Sequence, residues 1–339
     1  MTIARAHQVN FARTKYYHCV SRCVRRVFLC GLDVITGKDY SYRKAWILER
    51  IKTLSNIFAI DICAYAIMSN HTHLVLHVDI EKMNNWSEDE VRERWQLLFP
   101  KNYADFFHLT EKALVPEQIN KIAVWRQRLA SISWFMACLN EKIARMCNQE
   151  DDCTGRFWEG RYKCQALLDQ GAILSAMVYV DLNPVRAAIV QTPEESKFTS
   201  IYDRIQAIKQ ELSTKTQSEN DLTLLENLDT FPEPQHLLSL KSNNNLSTTL
   251  DFCLFDYLQL VDCTGKIFSK DKKGKIPDKF LPILKRLQLN PNNWLDYIYN
   301  LEHYFSFGVG ESDAISLYFK ENKIIKNFKK IKNYYKKAA

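Results

Sequence analysis

From Tyr16 to Leu182 the apolar positions switch between a spacing of two and a spacing of three to four, and each switch marks an element. Tyr16 to Arg22 (YYHCVSR) is rich in β-formers and predicts a first strand, while Tyr42 to Phe58 carries Trp46, Ile47, Ile51, Leu54 and Phe58 at helical spacing. Two further β-rich runs, Ala59 to Met68 and His73 to Val78, flank the turn-prone pair Ser69-Asn70 and predict a hairpin. The acidic, Trp-bearing stretch Asp79 to Lys112 reads as an elaboration. A long helix is expected over Asn120 to Cys147, with Leu129, Ile132, Phe135, Met136, Leu139 and Ile143 on one buried face. Gly155 to Leu168 contains a last strand, and Asp169 caps a helix that runs to about Leu182 before Pro184 ends it. The order βαββαβα predicts an α+β fold, a ferredoxin-like split βαβ core with an antiparallel sheet.

Beyond this region the pattern loosens. From Asp203 to Thr248 polar residues dominate, including SLKSNNNLSTT, as in a linker. Leu250 to Val261, Lys279 to Leu289 and Trp294 to Phe305 then read as short helices, with Asn290-Pro291 as a cap and first helical residue. Lys320, Lys323, Lys326, Lys329 and Lys330 follow at near-helical spacing, either a basic arm or a solvated terminus. The expected division is a first domain over 1–205 with an insertion at 79–112, a polar linker over 206–248, and a small C-terminal helical domain over 249–339.

Composition changes little in this picture. With 46% hydrophobic and 25% charged residues the chain can bury a core, and wholesale disorder is excluded. No apolar run is long enough to cross a bilayer and the first residues lack a signal-like apolar stretch, so a soluble, cytoplasmic protein is expected. The ten cysteines are scattered, as reduced thiols are; Cys19, Cys23 and Cys30 lack the second CxxC half of a zinc site. Net charge +7 hints at a polyanionic partner. The cations cluster at Arg13 to Arg26, at Arg156, Arg161 and Lys163, and over Lys266 to Arg286.

Candidate chemistry lies at two places. His71 and His73, in NHTHLVLH, are two apart on an expected strand, so both imidazoles leave the same face and can grip one ion; ordinary hydrogen bonds are the alternative for such a pair. His77 shares that face but lies about 13 Å from His73 at strand rise, outside such a site. Tyr179 and Asn183, in YVDLNP, are four apart and fall on one face of the expected helix. Asn183 can offer a neutral oxygen as a third ligand and place Tyr179 beside the ion; a core tyrosine and an asparagine cap before proline is the alternative. Two imidazoles and an amide oxygen leave open positions on Mg²⁺ or Mn²⁺, a Lewis acid for a phosphate. A tyrosine hydroxyl, with an ordinary pKa near 10, needs such help to attack.

The segments YHCVSRC, AYAIMSNHTHLVLHV, GRFWEGRYK and YVDLNPVRAAIV, in this order between about Tyr16 and Arg204, resemble the REP-associated tyrosine transposases, a family of single-tyrosine HUH transposases. The resemblance implies that His71, His73 and Asn183 are metal ligands and that Tyr179 is the nucleophile, giving a 5′-phosphotyrosine and a free 3′-OH. It further implies single-stranded DNA with a hairpin or palindromic repeat as partner, a nucleoid-associated bacterial setting, no nucleotide cofactor, and room for a homodimer. The stretch 79–112 is longer than the family's usual connection, and the shortest members lack the C-terminal helical region.

Arg22, Asn70, Arg156, Arg161, Lys163 and Arg186 lie near the motif ends and are candidate contacts to DNA, with solvated surface as the alternative for each. Phe157, Trp158 and Tyr162 interleave with these charges as a stacking platform for single strands would, with core as the alternative for the aromatics of GRFW and the favoured place of Phe157. Three other functions compete. A rolling-circle initiator often adds a helicase domain, and no P-loop motif is visible; a small-phosphate hydrolase would leave Tyr179 unexplained; a domesticated DNA-binding regulator would not need His71, His73, Tyr179 and Asn183 all intact.

Overall fold

The computed structural model describes residues 7–24, 30–33, 36–101, 103, 115–215, 231–240, 250, 252–269, 284, 287, 289–290, 293–305 and 307–324. The expected strands form where alternation predicts them: β1 (Tyr16–Arg22), β2 (Ile60–Ile67), β3 (His71–Val78) and β4 (Lys163–Leu167), with a short β5 (Gly308–Val309). The sheet order is β2-β3-β1-β4-β5. β1 lies between β3 and β4 and is antiparallel to both, and β2 is antiparallel to β3. β1 and β2, joined through helix α1 (Arg43–Ile57), therefore run parallel with β3 between them, which is the split βαβ arrangement. β5 extends the sheet parallel to β4, a strand too short to be recognised by alternation.

Helices cover both faces. On one, α5 (Ile132–Glu150) packs on α1, and the Asn140 amide donates to Ser21 Oγ of β1. On the other, α6 (Gln170–Asp181) packs across β2, β3 and β4. Its Asp169 cap accepts from the Ala172 N–H at 2.7 Å and from the Glu311 N–H at 3.0 Å. Gly310 follows β5 at φ +151°, and a Cβ there would meet the Asp169 carboxylate at 2.7 Å, so only glycine fits this close approach.

Three expectations need correction. The long helix over Asn120 to Cys147 is two helices, α4 (Pro116–Leu129) and α5, because the Leu129 carbonyl turns aside to accept from the Ala59 N–H, 2.9 Å away, and Ser131 is extended. That tertiary hydrogen bond leaves no trace in local propensity. The polar stretch from Asp203 begins as helix α8 (Ser200–Lys215), whose Ile201, Arg204, Ile205 and Ile208 recur at helical spacing and face the core. The helix carrying Tyr179 ends at Asp181 with Leu182 as its cap, as expected, but Asn183 does not lie on that helix: Asn183–Arg186 is a separate turn, α7, with Pro184 in its first turn.

The insertion holds α2 (Ile80–Asn85) and α3 (Glu88–Leu98), the latter opened by a reciprocal Ser87–Glu90 capping box. Trp95 of α3 stacks on Trp125 of α4, centroids 5.1 Å apart and planes within 8°. Residues 104–114 lie outside the described residues. Past the polar stretch come α9 (Leu254–Ser269), α10 (Trp294–Tyr304) and α11 (Ser312–Glu321). α9 packs on α7, α10 on α6 and α11 on β5, and their apolar residues join the same core as the sheet. The Lys279–Leu289 helix and the lysines from Lys326 onward fall largely or wholly outside the described residues. No described helix is long and apolar enough to cross a membrane.

Candidate functional site

Strand register brings the histidines together. Residues paired across antiparallel strands leave the sheet on the same face, so His73 opposite Val20, His71 opposite Arg22, and Gln165 opposite His18 all project toward α6. His71 and His73 have ring centroids 4.8 Å apart. Tyr179, on α6, stands over them with its ring 5.6 Å from His73 and 6.0 Å from His18. Asn183 reaches the same point from α7, its Nδ2 3.1 Å from His73 Nε2. The four residues read from the sequence thus converge although helix α6 ends between two of them: the chain turns at Leu182 and α7 points the amide back at the sheet.

Two residues that sequence reasoning missed complete the cluster. His18 Nε2 lies 3.0 Å from His73 Nδ1, and its Nδ1 lies 2.7 Å from Gln165 Oε1. Glu302, from α10, places a carboxylate oxygen 3.5 Å from His73 Nδ1, and its other oxygen accepts from the Arg22 guanidinium in an ion pair at 2.9 Å. Among the described residues, His18, His73 and Glu302 are the metal-capable group whose ligand atoms all lie within 4.8 Å of one another. His18 had a signal, being in phase with Arg22 on the central strand. Glu302 had a weaker one: it is four residues past the buried Ile298, a carboxylate on the edge of an apolar helix face.

Burial sets the protonation of the site. His71 is held down to about 4, chiefly by burial and further by Arg22 and Arg186, so it is neutral at ordinary pH. His18 and His73, fully buried, are pushed the same way, His73 well below its usual value. The Tyr179 phenol is raised, first by burial and then by Glu302, and Arg186 opposes both. The Arg186 guanidinium lies 4.3 Å from the Tyr179 ring centre and 5.4 Å from that of Tyr299, and it donates to the Tyr299 carbonyl at 2.9 Å.

The lone pairs of this group are set by its hydrogen bonds. His71 Nδ1 is hydrogen-bonded to Asn70 Oδ1 at 2.5 Å, which leaves Nε2 with its lone pair. His73 Nε2 faces Asn183, whose amide also carries an oxygen. The alternative group, using His73 Nδ1 with His18 Nε2, is already engaged: the two rings are within 11° of parallel at a 3.0 Å N···N separation, as in an imidazole N–H···N bond.

The candidate DNA contacts separate. Arg22, Arg161 and Lys163 line a cleft of about 490 Å³ with Val20, Glu159, Gly160 and Glu302, beside the histidines. Arg161, Lys163 and Arg156 are exposed. Asn70 is bonded to His71, and Arg186 is placed on Tyr179. The stacking platform is corrected at Tyr162, which is buried with its hydroxyl 3.2 Å from Ser133 Oγ, while Phe157 is buried in the core as expected. Trp158 is half-buried, its indole N–H donating to the Asn140 carbonyl.

No protein-family model and no curated protein matches this chain. A solved structure described as the REP-associated tyrosine transposase bound to a REP hairpin is similar to it over 61% of this chain and 86% of that one, at 11% identity and a TM-score of 0.32, a distant structural relationship.

Proposed function

We propose that this chain is a metal-dependent enzyme that nicks and rejoins single-stranded DNA at hairpin-containing repeats through a covalent bond to Tyr179, with His71, His73 and Asn183 as the metal ligands. The observation that carries this reading is the convergence of one tyrosine with two lone-pair imidazoles and an amide: Asn183 stands 3.1 Å from His73 Nε2 and the Tyr179 ring 5.6 Å from His73, from elements far apart in sequence. The motif order that resembles the REP-associated tyrosine transposases supports it independently.

In the reaction the Tyr179 oxygen attacks phosphorus and the bond to the 3′ oxygen breaks. The phenolic proton leaves to solvent, the departing 3′ oxygen takes one up, and the phosphodiester energy is kept in the 5′-phosphotyrosine for rejoining. A Mg²⁺ or Mn²⁺ held by His71, His73 and Asn183 would supply Lewis-acid charge stabilisation for this displacement. Burial keeps Tyr179 protonated until attack, and Arg186, against its ring, stabilises the negative charge that develops. Asn183 would hold the ion through its amide oxygen, on the same amide whose Nδ2 lies 3.1 Å from His73 Nε2, and Asn70, bonded to His71 Nδ1, would leave the His71 Nε2 lone pair for it. Arg22, Arg161 and Lys163 hold the backbone phosphates of the strand in the cleft, and the exposed Arg156, outside the cleft lining, is a further candidate phosphate contact. The Arg22–Glu302 ion pair ties the last turn of α10 to this site, and the Arg13–Glu321 pair ties α11 to the segment before β1.

The test is a covalent adduct on hairpin-bearing single-stranded DNA with Mg²⁺ or Mn²⁺. Tyr179→Phe should fold, bind DNA and form none; Tyr162→Phe should form it normally; EDTA should abolish it. An adduct persisting in Tyr179→Phe, or equal cutting of closed duplex, sinks the assignment.

A further inference from the structure

A chain of four hydrogen bonds runs from the main chain after α10 to the candidate metal position, and its polarity can be fixed from one end. The Phe305 carbonyl can only accept, so the Gln165 amide must offer it an N–H, at 2.6 Å. That orientation leaves Gln165 Oε1 toward His18, 2.7 Å from Nδ1, which must therefore carry a proton. His18 is fully buried, and in its neutral form a proton on Nδ1 leaves a lone pair on Nε2. Its neighbour at 3.0 Å, His73 Nδ1, must then be a donor. The His73 lone pair is thereby confined to Nε2, the atom facing Asn183 at 3.1 Å. Reversing any one link would set two donors or two acceptors against each other inside a buried cluster.

Resting on the metal reading above, we infer that His18 and Gln165 are positioning residues that lock His73 in the Nδ1–H tautomer, so that its Nε2 lone pair is the one presented to a divalent cation. Neither touches the ion or the DNA in this arrangement. Their effect passes through His73, as partners on the far nitrogen of ligating histidines do. The lock is non-local: its fixed end is the Phe305 carbonyl, in the segment that leads from α10 into β5, which also supplies the carbonyl of Phe307 to the Ala166 N–H at 2.9 Å. The late part of the chain thus sets which nitrogen of a histidine on β3 is free.

Two variants separate positioning from folding. Gln165→Leu keeps the volume but removes the anchor, so His18 can take either tautomer and His73 follows. His18→Gln can still accept from His73 Nδ1 through its amide oxygen, whereas His18→Leu cannot. Long-range ¹⁵N–¹H spectra of the metal-free full-length protein should show His73 with a protonated Nδ1 and an unprotonated Nε2, and Gln165→Leu should show both tautomers. Titration with Mn²⁺ should give an affinity about 10- to 100-fold weaker in Gln165→Leu and His18→Leu, and closer to the starting protein in His18→Gln. A His73 protonated on Nε2 in the starting protein overturns the lock, as does wild-type Mn²⁺ affinity in both leucine variants; the spectrum of the unaltered protein decides alone if a variant fails to fold. His71→Ala distinguishes the underlying reading: unchanged Mn²⁺ affinity there would discard the metal assignment while leaving the tautomer result standing.

Discussion

Asp181 sits between Tyr179 and Asn183 in sequence and has no solvent exposure, so its replacement tests how the site-bearing turn is held. Its Oδ1 accepts from Ser200 Oγ at 2.5 Å and the Ile201 N–H at 2.9 Å, and its Oδ2 accepts from the Tyr257 hydroxyl at 2.5 Å. One carboxylate therefore clamps the end of α6 to the start of α8 and to α9. Asp181→Ala leaves three donors without an acceptor in the interior, at about 1–3 kcal/mol each when fully unsatisfied. Because such losses are not additive, a total of about 3–5 kcal/mol is expected. Asp181→Asn should behave differently: its oxygen keeps the two α8 donors, and its NH₂ can donate to the Tyr257 oxygen instead of accepting. Burial raises the Asp181 carboxyl from an ordinary 3.8 to about 6, against partial compensation from its hydrogen bonds. For a carboxyl raised on folding, the stabilisation is complete below pH 3.8 and is lost as pH climbs through 6; two units correspond to about 3 kcal/mol. Urea unfolding of the native protein and Asp181→Asn between pH 4 and pH 7 should therefore show the native protein losing about 3 kcal/mol relative to the variant, which ends level with it or above it. A difference that does not change with pH, or an asparagine variant as unstable at pH 7 as the alanine one, would refute the argument and mean that Asp181 is held ionised at low pH.

Because His71 is held to about 4, protons compete for its ring only in strong acid, so Mn²⁺ affinity should change less than threefold between pH 7 and pH 5, whereas an imidazole of ordinary pKa would lose about 30-fold; a loss of that size by calorimetry would place His71 in water. Glu302→Gln removes a carboxylate from the cleft and releases Arg22 from its ion pair, so single-stranded DNA should bind several-fold tighter by fluorescence anisotropy and its salt dependence should steepen by about one phosphate contact; weaker binding would make Glu302 a contributor to the DNA site. Trp125→Ala should cost about 3–5 kcal/mol in chemical denaturation, since the ring is buried and stacked on Trp95, while leaving DNA adduct formation by the folded fraction unchanged; loss of adduct in folded protein would tie the insertion to catalysis.

The sequence by itself determined the elements whose cause is local. Alternation in YYHCVSR and NHTHLVLHV placed β1 and β3 and put His71 and His73 on one face, because a strand's side-chain period is two whatever surrounds it. The Asp169 cap and the apolar run after it placed α6 and Tyr179. What tertiary structure decided are the features whose cause is a partner distant in the chain. The break between α4 and α5 follows from a carbonyl drawn to Ala59. The burial of Tyr162 follows from Ser133 on α5, and no residue beside it in sequence requires it. His18 and Glu302 enter the site through the register of β1 on β3 and the packing of α10 on α6, two contacts that a one-dimensional pattern does not encode. Local periodicity says which way a side chain points; only packing says what it meets, and the tautomer and protonation of a buried histidine depend on what it meets.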